Sequence, residues 1–216
     1  MVEKYIKGLI AEGEHQMLDF KFEVSDAKKI ARSLVAFANT DGGRLLVGVK
    51  DNGVIAGVRS DEEVYMVETA AHIFCKPEIN FSIKNHKITG KHVVEVIIEP
   101  SNKKPHYAPG KNDKWTAYIR IKDENQIANK VIIKVWERQT RPKGVYLKYT
   151  DAEKRLLTYI EENGEVTFSK ACRIAMANHN KVENILANFI AIGILEPVFS
   201  EHNVTYQITT TGNFTY

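Results

Sequence analysis

Charged side chains alternate with apolar ones in the segment EHQMLDFKFE, which runs from Glu14 to Glu23. From Leu18 onward the period is two, which is typical of a strand with one buried face and one solvent-exposed face. This period places Asp19 and Lys21 on the same face. Carboxylates that converge with a lysine would suit Mg²⁺ or Mn²⁺ and phosphoryl chemistry. The alternative is a solvated strand face on which Asp19 pairs with Lys21.

The glycine-rich segment NTDGG, at residues 39–43, is a candidate phosphate cradle. Asn39, Gly42 and Gly43 would form it, because turns of this kind expose backbone N–H groups. The chain contains no GxxxxGK[ST] motif. The turn also follows the C-terminus of a predicted helix, which is the wrong polarity for a helix dipole to attract phosphate. The alternative is a helix end followed by a tight turn.

The loop KKPHYAPGKNDKW, at residues 103–115, mixes basic and aromatic side chains. Basic residues contact phosphates, and aromatic residues can stack on bases. Arg120 follows on a predicted strand, which fixes the direction of its side chain. The candidate nucleic-acid contacts in this part of the chain are therefore Lys21, Lys103, Lys104, Tyr107 and Arg120. A flexible, solvated loop is the alternative.

Composition bounds the class of protein. The chain has 216 residues and a net charge of +3, which divides into +6 for residues 1–150 (25 basic, 19 acidic) and −3 for residues 151–216 (5 basic, 8 acidic). The basic first part suggests a polyanionic partner. No apolar run is long enough to cross a membrane, and the N-terminal segment does not resemble a secretory signal. Two distant cysteines without a CxxC pair predict reduced thiols in a cytoplasmic protein.

Apolar periodicity predicts an α+β domain with a mixed sheet over residues 1–140. The predicted elements are a strand from residue 18, a helix at 26–38, strands at 44–49 and 54–58 around the KDNG turn, a helix at 61–75, a strand pair at 78–100, a strand at 115–121 and a helix at 124–140. The last helix is expected to turn Ile127, Val131, Val135 and Trp136 inward.

A second domain is predicted at residues 151–216, after a linker at 141–150. Its pattern is three helices followed by a hairpin, which is the layout of a winged helix-turn-helix. The third helix would contact DNA with residues near its start, of which Asn180 and Lys181 are the candidates. The charge of −3 in this part opposes docking on a phosphate backbone. Dimerisation or protein contact is the alternative role.

Four segments together resemble the Schlafen-type AlbA-like domain, a family also described as divergent ATPase-like and DNA-binding. They are EHQMLDFK, AFANTDGGRLLVGVKDNGVIAGV, KPHY at 104–107 and YIR at 118–120. The resemblance extends over residues 10–140 and implies that the domain binds nucleic acid. In animal Schlafens it also implies endoribonuclease activity on structured RNA such as tRNA.

The resemblance further implies site residues. The nuclease carboxylates of the animal relatives match Glu14, Asp19 and Asp51, which would hold a metal ion while Lys21 stabilises developing charge. Asp19 stands where glutamate is usual, so its reach is shorter by one methylene. Animal members carry a structural zinc site that this sequence cannot build. They also carry two such lobes per chain, so a comparable clamp here would require a homodimer.

Three functions stay open at this stage. The first is a nucleic-acid-binding protein, specifically a DNA-binding transcriptional regulator, which requires no cofactor for binding. The second is an endoribonuclease dependent on Mg²⁺ or Mn²⁺. The third is a regulatory switch that binds ATP near residues 39–43, kept because the family has carried that label.

Overall fold

A mixed four-stranded sheet organises the first part of the chain. The structure is a computed structural model, and it describes residues 2–140, 144–200 and 203–209. The chain divides into two compact units, Met1–Ala128 and Asn129–Tyr216. The elements of the first unit are α1 (Val2–Glu12), β1 (Leu18–Lys21), α2 (Ala27–Asn39), β2 (Gly43–Val47), α3 (Glu62–Ile73), β3 (Phe81–Ile88), β4 (Lys91–Ile98), β5 (Ala108–Pro109), β6 (Trp115–Thr116), β7 (Tyr118–Ile121) and β8 (Glu124–Ile127).

The strand order in the main sheet is β1-β2-β4-β3. β1 runs parallel to β2, and the other pairs are antiparallel. β5 pairs with β6, and β7 pairs with β8, as two short hairpins. This architecture confirms the predicted α+β class with a mixed sheet.

Each face of the sheet has its own apolar core. α2 and α3 cover one face, where Leu34, Val35 and Val96 are fully buried. The other face packs Phe20 and Leu46 against α1. α2 begins at Asp26, whose side chain accepts hydrogen bonds from the backbone N–H groups of residues 28 and 29. That N-cap satisfies donors that the first helical turn leaves unpaired.

Three local predictions for this unit are wrong. Residues 54–58, all described, contribute a single bridge between Val49 and Ile55 instead of a returning strand. Residues 124–127 form β8 instead of the first turn of a helix, because they pair with β7. Ile127 is consequently 67% exposed and does not face the core. In addition, α1 was not predicted.

The second unit contains α4 (Lys130–Gln139), α5 (Asp151–Asn163), β9 (Glu165–Thr167), α6 (Phe168–Ala175), α7 (His179–Ala191), β10 (Leu195–Phe199) and β11 (Val204–Ile208). The three strands form an antiparallel sheet in the order β10-β11-β9. α4, which we expected in the first domain, begins at the N-cap Asn129 and places Val131 and Val135 in the core of this unit. Its apolar face is therefore buried within the second unit.

The segment expected to be a linker is only partly described. Residues 141–143 lie outside the described residues, and residues 144–150 form neither helix nor strand. α5 then starts with a capping box, in which Thr150 and Glu153 exchange hydrogen bonds. Across the described part of the chain, no helix is long and apolar enough to cross a membrane.

Candidate nucleic-acid interface

The face of β1 that we expected to be solvated is buried at Asp19 and only partly exposed at Lys21. Asp19 is 3% exposed and lies 3.2 Å from Nη2 of Arg120, measured from its Oδ1 atom. Its Oδ2 atom lies 2.8 Å from the Nζ atom of Lys21. β1 therefore turns its charged side chains toward an internal ion pair. The alternative that Asp19 pairs with Lys21 is confirmed, but on a protected face.

Arg120 is held inside the domain and does not present its charge to a phosphate. Its side chain is 2% exposed, and its guanidinium lies 5.2 Å from the centre of the Phe37 ring. Nη1 donates to Oδ1 of Asn125 at 3.0 Å, and Nη2 donates to the Leu18 carbonyl at 3.3 Å. This burial corrects the expectation that Arg120 contacts nucleic acid, since a strand fixed its direction toward the core.

The three carboxylates expected to bind a metal do not converge. Glu14 adjoins Asp19 and accepts a hydrogen bond from the backbone N–H of Phe20 at 2.8 Å. Asp51 is exposed in the turn after β2. Among the described residues, no group of three or more histidine, cysteine, aspartate or glutamate side chains is arranged to hold a metal ion. Lys21 is engaged as well, because its amine also donates to the Phe20 carbonyl at 2.8 Å.

Glu14 nevertheless lies in an unusual electrostatic environment. Burial of the side chain, followed by the neighbouring Asp19, raises the pKa of Glu14 above its ordinary value. The hydrogen bond from Phe20 and the charge of Lys21 act in the opposite direction. The protonated form of Glu14 is therefore favoured in the folded domain relative to an exposed glutamate.

The buried side-chain amide of Asn39 links three sequence motifs: NTDGG, to which it belongs, KPHY and YIR. Its Nδ2 atom donates to the carbonyls of His106 and Tyr118, each at 2.9 Å, and its Oδ1 atom accepts from the His106 N–H at 2.8 Å. The next residue, Thr40, accepts from the backbone N–H of Arg120 at 3.0 Å. Asn39 is thus a structural bridge.

The two glycines of NTDGG are required by packing. A Cβ atom on Gly43 would lie 2.4 Å from the Phe37 ring, and one on Gly42 would lie 2.7 Å from the Ile98 carbonyl. Gly42 also has a φ of +75°, a conformation that favours glycine. Its N–H donates to the Phe37 carbonyl at 3.0 Å. These contacts confirm the alternative of a helix end with a tight turn, whereas the phosphate cradle at Asn39, Gly42 and Gly43 stays a prediction.

The basic residues before β5 differ in accessibility. Lys103 is exposed, whereas Lys104 is half-buried and donates from Nζ to the Thr40 carbonyl at 3.0 Å. Burial lowers the pKa of Lys104, an effect that the charge of Asp41 opposes. Lys103 is therefore the more accessible candidate for a phosphate contact.

An exposed basic and aromatic surface surrounds the β5–β6 hairpin. We call it the Trp115 surface and define it by Lys76, Lys111, Lys114 and Trp115. The Nζ atom of Lys76 lies 4.2 Å from the centre of the Trp115 ring, which is 38% exposed. Lys111 and Lys114 are exposed beside it.

Contacts with the rest of the unit fix the position of this hairpin. Arg32 on α2 donates from Nε to the Pro109 carbonyl at 2.8 Å. Lys28, one helical turn earlier, lies 2.6 Å from the carboxylate of Asp113. The backbone of Tyr107 pairs with that of Lys76 in both directions. The loop is therefore held in place, although its lysines reach solvent.

In the second unit, α4 covers much of the polar face of α7. Lys134 donates to Oδ1 of Asn180 at 2.7 Å. Arg138 donates to Oδ1 of Asn184 at 2.7 Å and of Asn188 at 2.6 Å. Lys181 stays exposed at the start of α7. Of the two candidate DNA contacts on this helix, Asn180 is therefore engaged by α4, and Lys181 is accessible.

Sequence reasoning missed a buried polar cluster on β4. Glu95 has no exposed surface, and it accepts a hydrogen bond from Tyr5 at 2.7 Å. His86 lies 2.8 Å from its carboxylate, and Arg44 lies 3.1 Å from it. The available signal was a single charge inside the apolar run VVEVII, since a carboxylate in a buried strand requires partners.

The fold and the motif contacts together define a mixed α+β domain in which Asp19, Asn39 and Arg120 act as internal connections. The model of the Schlafen, AlbA_2 family matches residues 14–129. The chain therefore belongs to that family, and the predicted resemblance is confirmed. This membership suggests a function that involves nucleic acid.

Comparison with other proteins adds two distant likenesses among solved structures. The DIP2311 protein from Corynebacterium diphtheriae matches with a TM-score of 0.48 and 16% identity, over 73% of this chain and 38% of that chain. This chain thus spans little more than a third of that protein. The N-terminal domain of a RecG-related protein from Nitrosomonas europaea matches with a TM-score of 0.38 and 23% identity, over 56% of this chain and 91% of that domain. No curated protein matches the chain.

Proposed function

We propose that this protein binds nucleic acid through the Trp115 surface and acts as a DNA-binding transcriptional regulator. The observation that carries the proposal is the exposed pair of Lys76 and Trp115, flanked by Lys111 and Lys114. Lysines contact phosphates without regard to sequence, whereas an exposed indole can stack on an unpaired base. The excess of basic residues in this part of the chain also favours a polyanionic partner.

The second unit has the proposed role of a winged helix that assists binding. The order of α5, β9, α6, α7, β10 and β11 supports this assignment. Because α4 covers the face of α7 that carries Asn180, Asn184 and Asn188, contacts from α7 are confined to its N-terminal end, around Lys181. The Trp115 surface is therefore the principal binding site in this proposal.

Support for binding without cleavage comes from the carboxylates. Both oxygens of Asp19 lie within ion-pair distance of a cation, and Asp51 is exposed in a turn. For an ATP-dependent switch, the glycines of this turn give no particular support, because the close packing of Gly42 and Gly43 against Ile98 and Phe37 already explains why glycine stands there. A regulator that needs neither a metal nor ATP fits these contacts best.

Fluorescence anisotropy over a range of salt concentrations tests the binding site. For the Lys111→Ala/Lys114→Ala variant on duplex DNA, we expect weaker binding and a log–log salt slope smaller by about 1 per lysine. Lys84→Ala/Lys87→Ala is the matched control, because it removes the same charge from exposed positions on β3. Equal effects of the two double variants would refute binding at the Trp115 surface.

Trp115→Ala distinguishes stacking from simple charge attraction. On single-stranded DNA the variant is expected to lose about 1–3 kcal/mol of binding free energy, the usual contribution of one stacked base. On duplex DNA, whose bases are already stacked, the loss should be smaller. An equal loss on both substrates would show that the indole supports the loop and does not contact a base.

Incubation with tRNA and Mn²⁺ tests the ribonuclease alternative. The proposal expects intact RNA. If the RNA is cleaved and Asp51→Ala abolishes the cleavage, the protein is a metal-dependent ribonuclease and the proposed regulator is wrong.

The proposed binding form is a homodimer, a hypothesis that rests on the single lobe of each chain. Light scattering of the purified protein measures its mass in solution. A monomeric mass at the concentrations used for binding would contradict the dimer.

A further inference from the structure

A serine and a histidine meet at a small cavity on the first unit. Oγ of Ser101 lies 2.7 Å from Nε2 of His106. The Nδ1 atom of the same ring lies 2.8 Å from the Pro77 carbonyl. Both residues line a cavity of about 240 Å³, whose wall is apolar at Ala38, Ile79 and Pro100 and also contains Glu78, Glu99 and other polar residues.

The hydrogen bonds fix the protonation of the neutral ring. A carbonyl oxygen can only accept, so Nδ1 must carry the proton and donate to Pro77. Nε2 then has a free lone pair and must accept the hydroxyl proton of Ser101. This is the arrangement of a nucleophile and a general base in which a third group orients the base. Here that third group is a backbone carbonyl.

The surroundings favour a neutral base at neutral pH. His106 is 2% exposed, and its burial is the largest effect that lowers its pKa. The positive charges of Lys103 and Lys104 lower the pKa further, whereas the hydrogen bond to Pro77 opposes the change. The ring therefore stays unprotonated at a pH where an exposed histidine would begin to accept a proton.

The surroundings of Ser101 also stabilise negative charge on its Oγ atom. The backbone N–H of Lys103 donates to Oγ of Ser101 at 3.0 Å, and such a donor stabilises a developing alkoxide. The side chain of Lys103 lines the same cavity. The backbone N–H of Lys103 is therefore the donor that the structure places at Ser101.

We propose that Ser101 and His106 form a nucleophile–base pair that accepts acyl groups from small carboxylic esters. Oγ of Ser101 forms a bond to the ester carbonyl carbon while its proton moves to Nε2 of His106. The carbon–oxygen bond to the alcohol then breaks, and the alcohol leaves with that proton. Water, deprotonated by the same nitrogen, can hydrolyse the acyl-serine and restore the pair. The apolar part of the wall and the cavity volume limit the acyl group to a few carbons.

Intact-protein mass spectrometry with p-nitrophenyl acetate and with a fluorophosphonate probe tests the pair. We expect one lasting fluorophosphonate label per chain, located on Ser101 and absent from Ser101→Ala, and release of p-nitrophenol from the acetate that also requires Ser101. The exposed Ser82 is the internal comparison, and Ser82→Ala should label as the wild type does. Ser101 should react about 100-fold faster than Ser82, at the lower end of what a positioned general base contributes.

Two further measurements distinguish activation of Ser101 by His106 from simple solvent exposure of Ser101. Labelling of Ser101 should disappear in urea, because the pair exists only in the folded chain. As the pH falls, its rate should begin to decrease only at a lower pH than that at which an exposed histidine titrates, since the pKa of His106 is lowered. No label on Ser101 in the folded protein, or label spread equally over Ser82 and other exposed serines, would overturn the proposal. These measurements keep His106 intact, so they do not depend on whether a variant at that position folds.

Discussion

Replacement of Asp19 by alanine tests whether the charged strand β1 stabilises the fold. Asp19 and Arg120 are 3% and 2% exposed, so the variant leaves a guanidinium buried without its counter-ion. Removal of one partner from a buried ion pair typically costs about 3–5 kcal/mol. The neutral acceptors that remain, the Asn125 side chain and the Leu18 carbonyl, do not compensate the charge. We therefore expect a loss within that range.

Urea unfolding measures this loss if the two units are observed separately. The chain has two tryptophans, Trp115 in the first unit and Trp136 in the second. A Trp136→Phe background leaves Trp115 as the fluorescent reporter of the first unit, which avoids a mixed transition from two units. With a slope of about 1–3 kcal/mol per molar urea, the unfolding midpoint should fall by at least about 1 M.

Two control variants make the result decisive. Asp51→Ala removes an exposed carboxylate and should change the free energy of unfolding by less than about 0.5 kcal/mol. Asp19→Ala combined with Arg120→Met removes both charges and should recover part of the loss, because a well-packed apolar replacement of a buried pair is often neutral. If Asp19→Ala costs no more than Asp51→Ala, the pair does not stabilise the domain and our reasoning about β1 is incorrect.

Three other predictions address packing, thiol reactivity and pH dependence. Gly43→Ala should destabilise the first unit by about 1–3 kcal/mol in urea unfolding, because the added methyl group overlaps Phe37; an unchanged midpoint would contradict the close contact. Burial raises the pKa of the Cys75 thiol to about 12, so iodoacetamide should alkylate it only after unfolding; labelling of the folded protein, detected by mass spectrometry, would refute this. The raised pKa of Glu14 means that its protonated form stabilises the fold, and this contribution is lost as the pH rises above the ordinary range of glutamate titration. Glu14→Gln should therefore give a free energy of unfolding that falls less between acidic and neutral pH, and an identical pH profile would contradict the shift.

Local patterns predicted the elements that depend on local forces. α2 was predicted within a residue of its observed ends, because its apolar stripe and its Asp26 cap act over a few residues. The strand pair β3–β4 was also predicted, because adjacent strands joined by a short turn depend on contacts between residues close in sequence. The end of β8 was mistaken for the start of α4, because Ile127 and Val131 are four residues apart and so fit a helical spacing. In the structure the helix starts only after the N-cap Asn129, which lies between them.

The candidate site shows the limit of such patterns more sharply. Alternation in β1 identified which side chains share a face, but not whether that face meets water. The answer depends on Arg120, about a hundred residues later in the chain, whose charge makes burial of Asp19 possible. Ser101 and His106 are close in sequence, yet no recognised spacing indicates that they share a hydrogen bond.

The sequence by itself determined the class of fold, most helices and strands, and the basic character of the first part of the chain. The elements follow from periodicity and turn residues, which act over short distances, whereas the family was found from the resemblance of four sequence motifs. Only the tertiary structure decided which charged and polar residues are internal. Asp19, Asn39 and Arg120 looked like candidate site residues, yet they hold distant segments together. The physical reason is that burial of a polar group depends on partners that only the folded chain brings within hydrogen-bonding distance.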